Sequence, residues 1–250
     1  MNILEVRNLC HRSVDGKLIL DAINLTITPA EFVVVAGPNG SGKSTLFKHF
    51  NGLLAPTEGE VLVDGVAVAD DVKRARKMVG MIFQDADSQI VGETVFDDAA
   101  FGPENLGMGA GEVRKLVDSI LEQVGLFHLR ELPPHLLSGG EKRRLAIAGV
   151  LTMAPKVLVF DEPFSNLDYN GIKQVLAQMD GLHRDGHTIV VSTHNLETVA
   201  GMADRLILMQ SGRIAEDGAF DEMLPSVEDF GIRMPEALRF GMKVQPWLTR

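Results

Sequence analysis

Glu31-Phe32-Val33-Val34-Val35-Ala36, continuing into Gly37-Pro38-Asn39-Gly40-Ser41-Gly42-Lys43-Ser44-Thr45, is the stretch that decides the fold. After Glu31 the residues are apolar and largely β-branched, as in a strand buried on both faces, and the run ends at a glycine. Residues 37–45 fit the pattern G-x-x-x-x-G-K-[ST], and a helix from Lys43 to about Asn51 is expected beyond them. Glycines let main-chain N–H groups turn inward around phosphate oxygens, and the start of a helix adds its positive dipole. In such a loop Lys43 reaches the β- and γ-phosphates of a nucleotide, and the Ser44 hydroxyl ligates Mg²⁺.

Three further stretches bear on the same chemistry. Val157-Leu158-Val159-Phe160-Asp161-Glu162 places two carboxylates at the end of an apolar strand. Beside a phosphate loop, Asp161 holds Mg²⁺ or its waters, and Glu162 orients and polarises an attacking water as general base. In Leu137-Ser138-Gly139-Gly140-Glu141, Ser138 caps a following helix, and the two glycines leave its first N–H groups open to an anion. Thr193-His194 comes after the apolar run 188–192 and brings an imidazole to a third strand end, within reach of a γ-phosphate.

Around these stretches the pattern is that of an α/β protein. Segments 3–9 and 18–27 are expected strands separated by the turn Ser13-Val14-Asp15-Gly16, and Asp64-Gly65 marks a hairpin within 59–68. Apolar strands are expected at 79–83, 156–160, 187–191 and 205–209, with helical segments between them. Alternation of this kind predicts a mainly parallel sheet covered on both faces. Residues 86–137 differ, carrying few β-branched runs. Val113, Leu116, Val117, Ile120, Leu121 and Val124 share a helical face, so this is a helical insertion closed by Pro133-Pro134. Beyond residue 220 the chain is helical in part.

The chain has 250 residues, 45% of them hydrophobic and 23% charged, enough to bury a core. Its net charge of -10 argues against a nucleic-acid partner held by clustered Lys and Arg. Cys10 stands alone, so neither an internal disulfide nor a multi-thiolate metal site can form. No signal sequence and no membrane-spanning run is visible.

Together these motifs resemble the nucleotide-binding subunit of an ATP-binding cassette (ABC) transporter over nearly the whole chain. The phosphate loop, Gln84 of the Q-loop, the signature at 137–141, the acidic strand at 157–162, the D-loop Ser165-Asn166-Leu167-Asp168 and the switch His194 follow in family order. The stretch from Phe83-Gln84-Asp85-Ala86-Asp87-Ser88-Gln89-Ile90 through Asn105-Leu106-Gly107 is similar to the energy-coupling factor class, which imports vitamins, cobalt and nickel.

The resemblance implies a P-loop NTPase (RecA-like) core at 1–85 and 155–220, with an antiparallel β subdomain, a helical signature subdomain at 86–154 and an extension at 221–250. It implies ATP and Mg²⁺ as ligands, with Ser44, Gln84 and Asp161 on the metal. Asp168 and the signature residues Ser138, Gly139, Gly140 and Glu141 belong to the nucleotide site. It further implies dimerisation with itself or a similar ATPase subunit. An integral-membrane T-component docks near Gln89, joined by a substrate-binding membrane subunit, and the chain lies on the cytoplasmic face of the cell membrane. Cobalt or nickel is the expected cargo, with biotin or another vitamin as the alternative and a non-transport ATPase as a more distant one. The sequence departs from the family in three places. Ser13 stands where an aromatic residue usually stacks on adenine, with His11 and Arg12 alongside as substitutes. Glu141 replaces the commoner Gln, and Asn195 replaces Asp after the switch histidine.

Other conspicuous residues read as structural. Lys73-Arg74-Ala75-Arg76-Lys77 is a solvated helix face. His183 and His187 are separated by a turn at Gly186 rather than aligned as metal ligands. The methionines are core filler.

Overall fold

The structure, a computed structural model, describes residues 2–242, 244 and 246–248. The chain runs β1 (Leu4–Arg12), β2 (Leu18–Ile27), β3 (Phe32–Ala36), α1 (Lys43–Phe50), β4 (Glu58–Val63), β5 (Val66–Ala67), α2 (Val72–Met78) and β6 (Val79–Ile82). Helices α3 (Val95–Asn105), α4 (Ala110–Gln123) and α5 (Gly139–Leu151) follow, then β7 (Val157–Asp161), α6 (Tyr169–Arg184) and β8 (Thr188–Ser192). The remainder is α7 (Leu196–Val199), β9 (Arg205–Gln210), β10 (Arg213–Ala219), α8 (Phe220–Met223), a 3₁₀ segment Leu224–Phe230 and α9 (Glu236–Arg239).

Two sheets result. One is antiparallel, ordered β2-β1-β4-β5; the other is ordered β10-β9-β3-β8-β7-β6, with every pairing parallel except β10 with β9. Residues of β3, β7 and β8 are buried along their whole length. Their side chains alternate between two cores. Val33, Val35, Val157 and Val159 pack with Leu46, Phe47 and Phe50 of α1 and with the antiparallel sheet. Phe32, Val34, Leu158 and Phe160 pack with α3, α4, α5 and α6. Helix α1 is therefore held between the two sheets, which fixes the phosphate loop at its start. Truncating a fully buried side chain such as Phe160 costs about 3–5 kcal/mol.

The expected strands and the helix after the loop form within a residue or two of the sequence reading, except that β1 runs on to Arg12, three residues past the expected end at Leu9. Asp64 and Gly65 adopt positive φ (51° and 76°), the mark of a two-residue hairpin turn. In α4 the expected face is graded, with Val113, Val117 and Leu121 buried and Leu116 and Ile120 half-buried. Helix α3 is capped by Thr94, which exchanges bonds with Asp97 in a capping box. Strand β10 went unread in the sequence because Arg213, Glu216 and Asp217 leave it no apolar face, and antiparallel pairing to β9 forms it at the sheet edge.

The tail is helical in short pieces and packs back on the domain. Trp247 lies against Tyr169, ring centroids 5.3 Å apart. Lys243, Gln245, Thr249 and Arg250 of the expected 221–250 extension fall outside the described residues. Among the described residues no helix is long and apolar enough to cross a membrane.

Candidate functional site

The strand ends bring the phosphate loop, Gln84, Glu162 and His194 around one cavity of about 830 Å³. The loop is shaped to receive an anion. A Cβ on Gly37 would lie 2.2 Å from Met209 O, so only glycine allows this close approach. No side chain caps α1, whose first N–H groups face the loop. Lys43 is buried, its Nζ donating to Gly37 O at 2.7 Å and Pro38 O at 3.2 Å. Burial pulls its ammonium down from the usual lysine range against the opposing pull of Glu162 and Asp161.

The acidic pair is held by a residue that sequence reading passed over. Ser192, at the end of β8, donates its hydroxyl to Asp161 Oδ1 at 2.7 Å and accepts the Glu162 N–H at 2.8 Å. Asp161 and Ser192 are both buried. Glu162 itself adopts a positive φ of 47°, a conformation costly for a side-chain-bearing residue and concentrated at functional sites. Its Oε2 lies 3.1 Å from His194 Nδ1. Burial raises the Glu162 carboxyl above the ordinary glutamate range, with His194 and Lys43 pulling the other way.

A second unread residue is Arg143 on α5. It is buried, and its guanidinium donates to Phe83 O and to Gln84 O, the latter at 2.6 Å. The planar fork spans two successive carbonyls, a task for which a lysine point charge is no substitute. Its only sequence signal is the basic run Lys142-Arg143-Arg144 within the helix that follows the signature.

The structure does not bring every expected residue to the cavity. Ser138 caps α5 and exchanges bonds with Glu141, whose carboxylate is held low by the Ser138 hydroxyl and N–H. Gly139 and Gly140 pack instead on the D-loop and α6, an added Cβ lying 3.6 Å from Leu167 and 3.5 Å from Gly171. None of residues 137–141 lines the nucleotide cavity. Asp168 caps α6 through the Gly171 N–H at 2.7 Å, and Ser165 is the D-loop residue at the cavity. Gly231 and Ile232 of the tail also line it. His183 and His187 bond backbone carbonyls, those of Ala30 and Pro155.

The donor set suits Mg²⁺. Ser44 and Gln84 line the cavity and offer a hydroxyl and an amide oxygen, while Asp161, buried one residue before Glu162 and not itself lining the cavity, offers a carboxylate; all three are hard oxygen ligands.

Comparison with known proteins places this geometry. A family profile described as ABC transporter matches residues 20–165. The energy-coupling factor transporter ATP-binding protein EcfA of Methanocaldococcus jannaschii is 44% identical over 94% of this chain and 86% of its own length. The cobalt import ATP-binding protein CbiO of Rhodobacter capsulatus is 41% identical over 93% of this chain and 85% of its own. Among solved structures, CbiO1 of Clostridium perfringens, part of the ABC transporter complex CbiONQ, superposes with a TM-score of 0.83 at 35% identity. That match covers 96% of this chain and 98% of that one. The chain belongs to the ABC transporter family, as an ATP-hydrolysing subunit of the energy-coupling factor type.

Proposed function

We propose that the chain energises an importer of cobalt or nickel ions, working as a head-to-tail pair on the cytoplasmic face of the cell membrane. The observation that carries the paired arrangement is the split site. One chain gathers the phosphate loop, Gln84, Glu162 and His194, while its Ser138, Gly139 and Gly140 start a helix elsewhere on the domain. A second chain, identical or similar, turned so that its signature faces this loop, supplies the missing N–H groups and hydroxyl.

In that pocket the loop N–H groups and Lys43 bind the β- and γ-phosphates. Ser44, Gln84 and Asp161 would hold Mg²⁺, which would neutralise charge on the γ-phosphoryl oxygens. Ser192 fixes the Asp161 carboxylate and the Glu162 backbone, so the two acids keep distinct directions. Glu162 orients the attacking water, and His194 holds the Glu162 carboxylate while facing the γ-phosphate.

A separate cavity of about 320 Å³ supports docking of the membrane T-component, through which the substrate-binding subunit is engaged. Its lining includes Leu53, Phe83, Val91, Phe101 and Met153, with Val91 62% and Phe101 55% exposed. Such an apolar groove fits the buried face of an amphipathic helix. The Gln89 amide is committed to the backbone of Phe83 and Met81. The docking surface is thus largely apolar, with Gln89 in its lining held in place by those two bonds. The cobalt reading is supported by likeness to the Rhodobacter capsulatus protein, with nickel and biotin as the competing cargoes.

The test combines assembly and transport. With Glu162→Gln, saturating ATP should convert monomer to dimer in sedimentation, and gentle detergent extraction should recover the chain with integral-membrane proteins. Uptake of radiolabelled Co²⁺, Ni²⁺ and biotin by cells carrying those proteins identifies the cargo. A chain that stays monomeric with ATP and extracts alone would refute the proposal.

A further inference from the structure

Two imidazoles meet between the antiparallel sheet and the phosphate-loop helix. His49 lies in the last turn of α1 and is 1% exposed. His11 comes from β1 and is half-buried. The register of β1 with β2 shifts on both sides of His11, an irregularity of the kind that re-aims a side chain out of the regular pleat. His11 Nδ1 lies 3.2 Å from His49 Nε2, with the ring centroids 4.8 Å apart and the planes at 73°. Neither ring lines the nucleotide cavity, so the phosphate chemistry uses neither of them.

The far side of His49 fixes its tautomer. Its Nδ1 lies 2.7 Å from Thr45 O, and a carbonyl only accepts. Nδ1 therefore carries the proton, and Nε2 presents its lone pair to His11. Metal-ligating histidines are held in this way, the second ring N–H donated to a carbonyl that sets ring and tautomer. Neutral His11 carries one proton, at either nitrogen. On Nδ1 that proton bonds to His49. Moved to Nε2, it leaves two lone pairs facing each other across the gap. Two nitrogens each about 2.0–2.1 Å from one tetrahedral ion stand about 3.3–3.4 Å apart, so the rings already have nearly the spacing of a shared ion. The ion takes the place of the proton between the rings, and no proton leaves the pair.

We infer that His11 and His49 form a binding site for a divalent transition-metal ion, which ties β1 to the phosphate-loop helix. Among the described residues no third His, Cys, Asp or Glu groups with them, so water completes the shell. Imidazole nitrogens suit Ni²⁺, Cu²⁺ and Zn²⁺, whereas Mg²⁺ takes oxygen ligands. The site is thus distinct in chemistry from Ser44, Gln84 and Asp161, and it holds whether or not the transport reading does.

Titration calorimetry of the full chain, without an affinity tag or nucleotide, tests it with Ni²⁺, Co²⁺ and Mg²⁺. One equivalent of Ni²⁺ is expected, bound more tightly than Co²⁺, with no heat from Mg²⁺. His11→Phe keeps a ring against His49 and should weaken Ni²⁺ by about 100-fold or more, the loss of a ligand exceeding that of an outer partner. In the unaltered chain labelled with ¹⁵N-histidine, Co²⁺ should displace the ring signals of His11 and His49 ahead of those of the other five histidines. That measurement decides the matter where His11→Phe fails to fold. Ni²⁺ affinity unchanged in a folded His11→Phe chain, Co²⁺ effects centred on other histidines, or a dissociation constant for Ni²⁺ above about 1 mM would overturn the inference.

Discussion

His194 Nδ1 and Glu162 Oε2 meet at 3.1 Å, an imidazole from the end of β8 against a carboxylate from the end of β7. Glu162 is half-buried behind that contact, and burial lifts its carboxyl above the ordinary glutamate range. A general base works only when deprotonated, so hydrolysis falls as pH drops through this raised value, higher than an unperturbed glutamate would give. His194→Ala removes the largest of the influences lowering the Glu162 value, so the acid limb of the kcat–pH profile should move further up. A limb that stays in place would show that another group sets it.

Glu162→Gln should keep ATP affinity within about threefold and lower kcat by about 100-fold or more. Binding measured by calorimetry and turnover by phosphate release separate the two effects. Robust steady-state turnover by the variant would remove Glu162 from its assigned role.

Ser192→Ala deletes one hydroxyl and leaves two groups, the Asp161 carboxylate and the Glu162 N–H, short of a partner. The expected cost is about 1–3 kcal/mol in denaturant unfolding, together with a loss of kcat, because the positive-φ turn at Glu162 loses its anchor. Ser192→Thr, which retains the hydroxyl, should recover most of both. Recovery of stability without turnover would assign Ser192 to the fold alone.

Arg143→Lys keeps a charge on α5 but cannot span the carbonyls of Phe83 and Gln84. Turnover should fall by about 10- to 100-fold, as for a displaced catalytic group. The signature of a positioning role is a raised Mg²⁺ requirement with little change in nucleotide affinity. An unchanged Mg²⁺ dependence would separate Arg143 from Gln84.

Lys43→Ala and Ser138→Arg should each abolish hydrolysis alone, because each spoils every site of a symmetric pair. Mixed in one tube they form pairs with one intact site, so activity should return in proportion to mixed assembly. Continued silence of the mixture, with mixed pairs seen by native mass spectrometry, would refute the head-to-tail arrangement.

What the sequence discloses depends on how local the cause is. Gly37 through Thr45 declare themselves because the turn, the anion cradle and the helix start are adjacent in the chain. Asp161 and Glu162 do so because an apolar strand ends on them. Ser192 and Arg143 stay hidden because their partners are distant in sequence, and Asp98 because its partners are backbone N–H groups of a loop without a pattern. Ser192 reaches back 31 residues to Asp161, and Arg143 reaches 59 to Gln84. Asp98, buried on α3, holds the Val91 and Gly92 N–H groups beside the apolar groove, which no periodicity records. Strand β10 is invisible for the opposite reason, since its edge position needs no apolar pattern. The tail at Gly231 and Ile232 reaches the cavity by tertiary packing alone.

Gly139 and Gly140 rest on Leu167 and Gly171, which belong to the D-loop and the helix start that follow Glu162. Whatever grips the front of that helix from outside therefore leans on the turn that follows the acid, where Ser165 N–H donates to Glu162 O. In a reciprocal pair, clamping one mouth would be felt in the hydrolytic machinery of the other, and the two would fire as a linked unit rather than as independent engines.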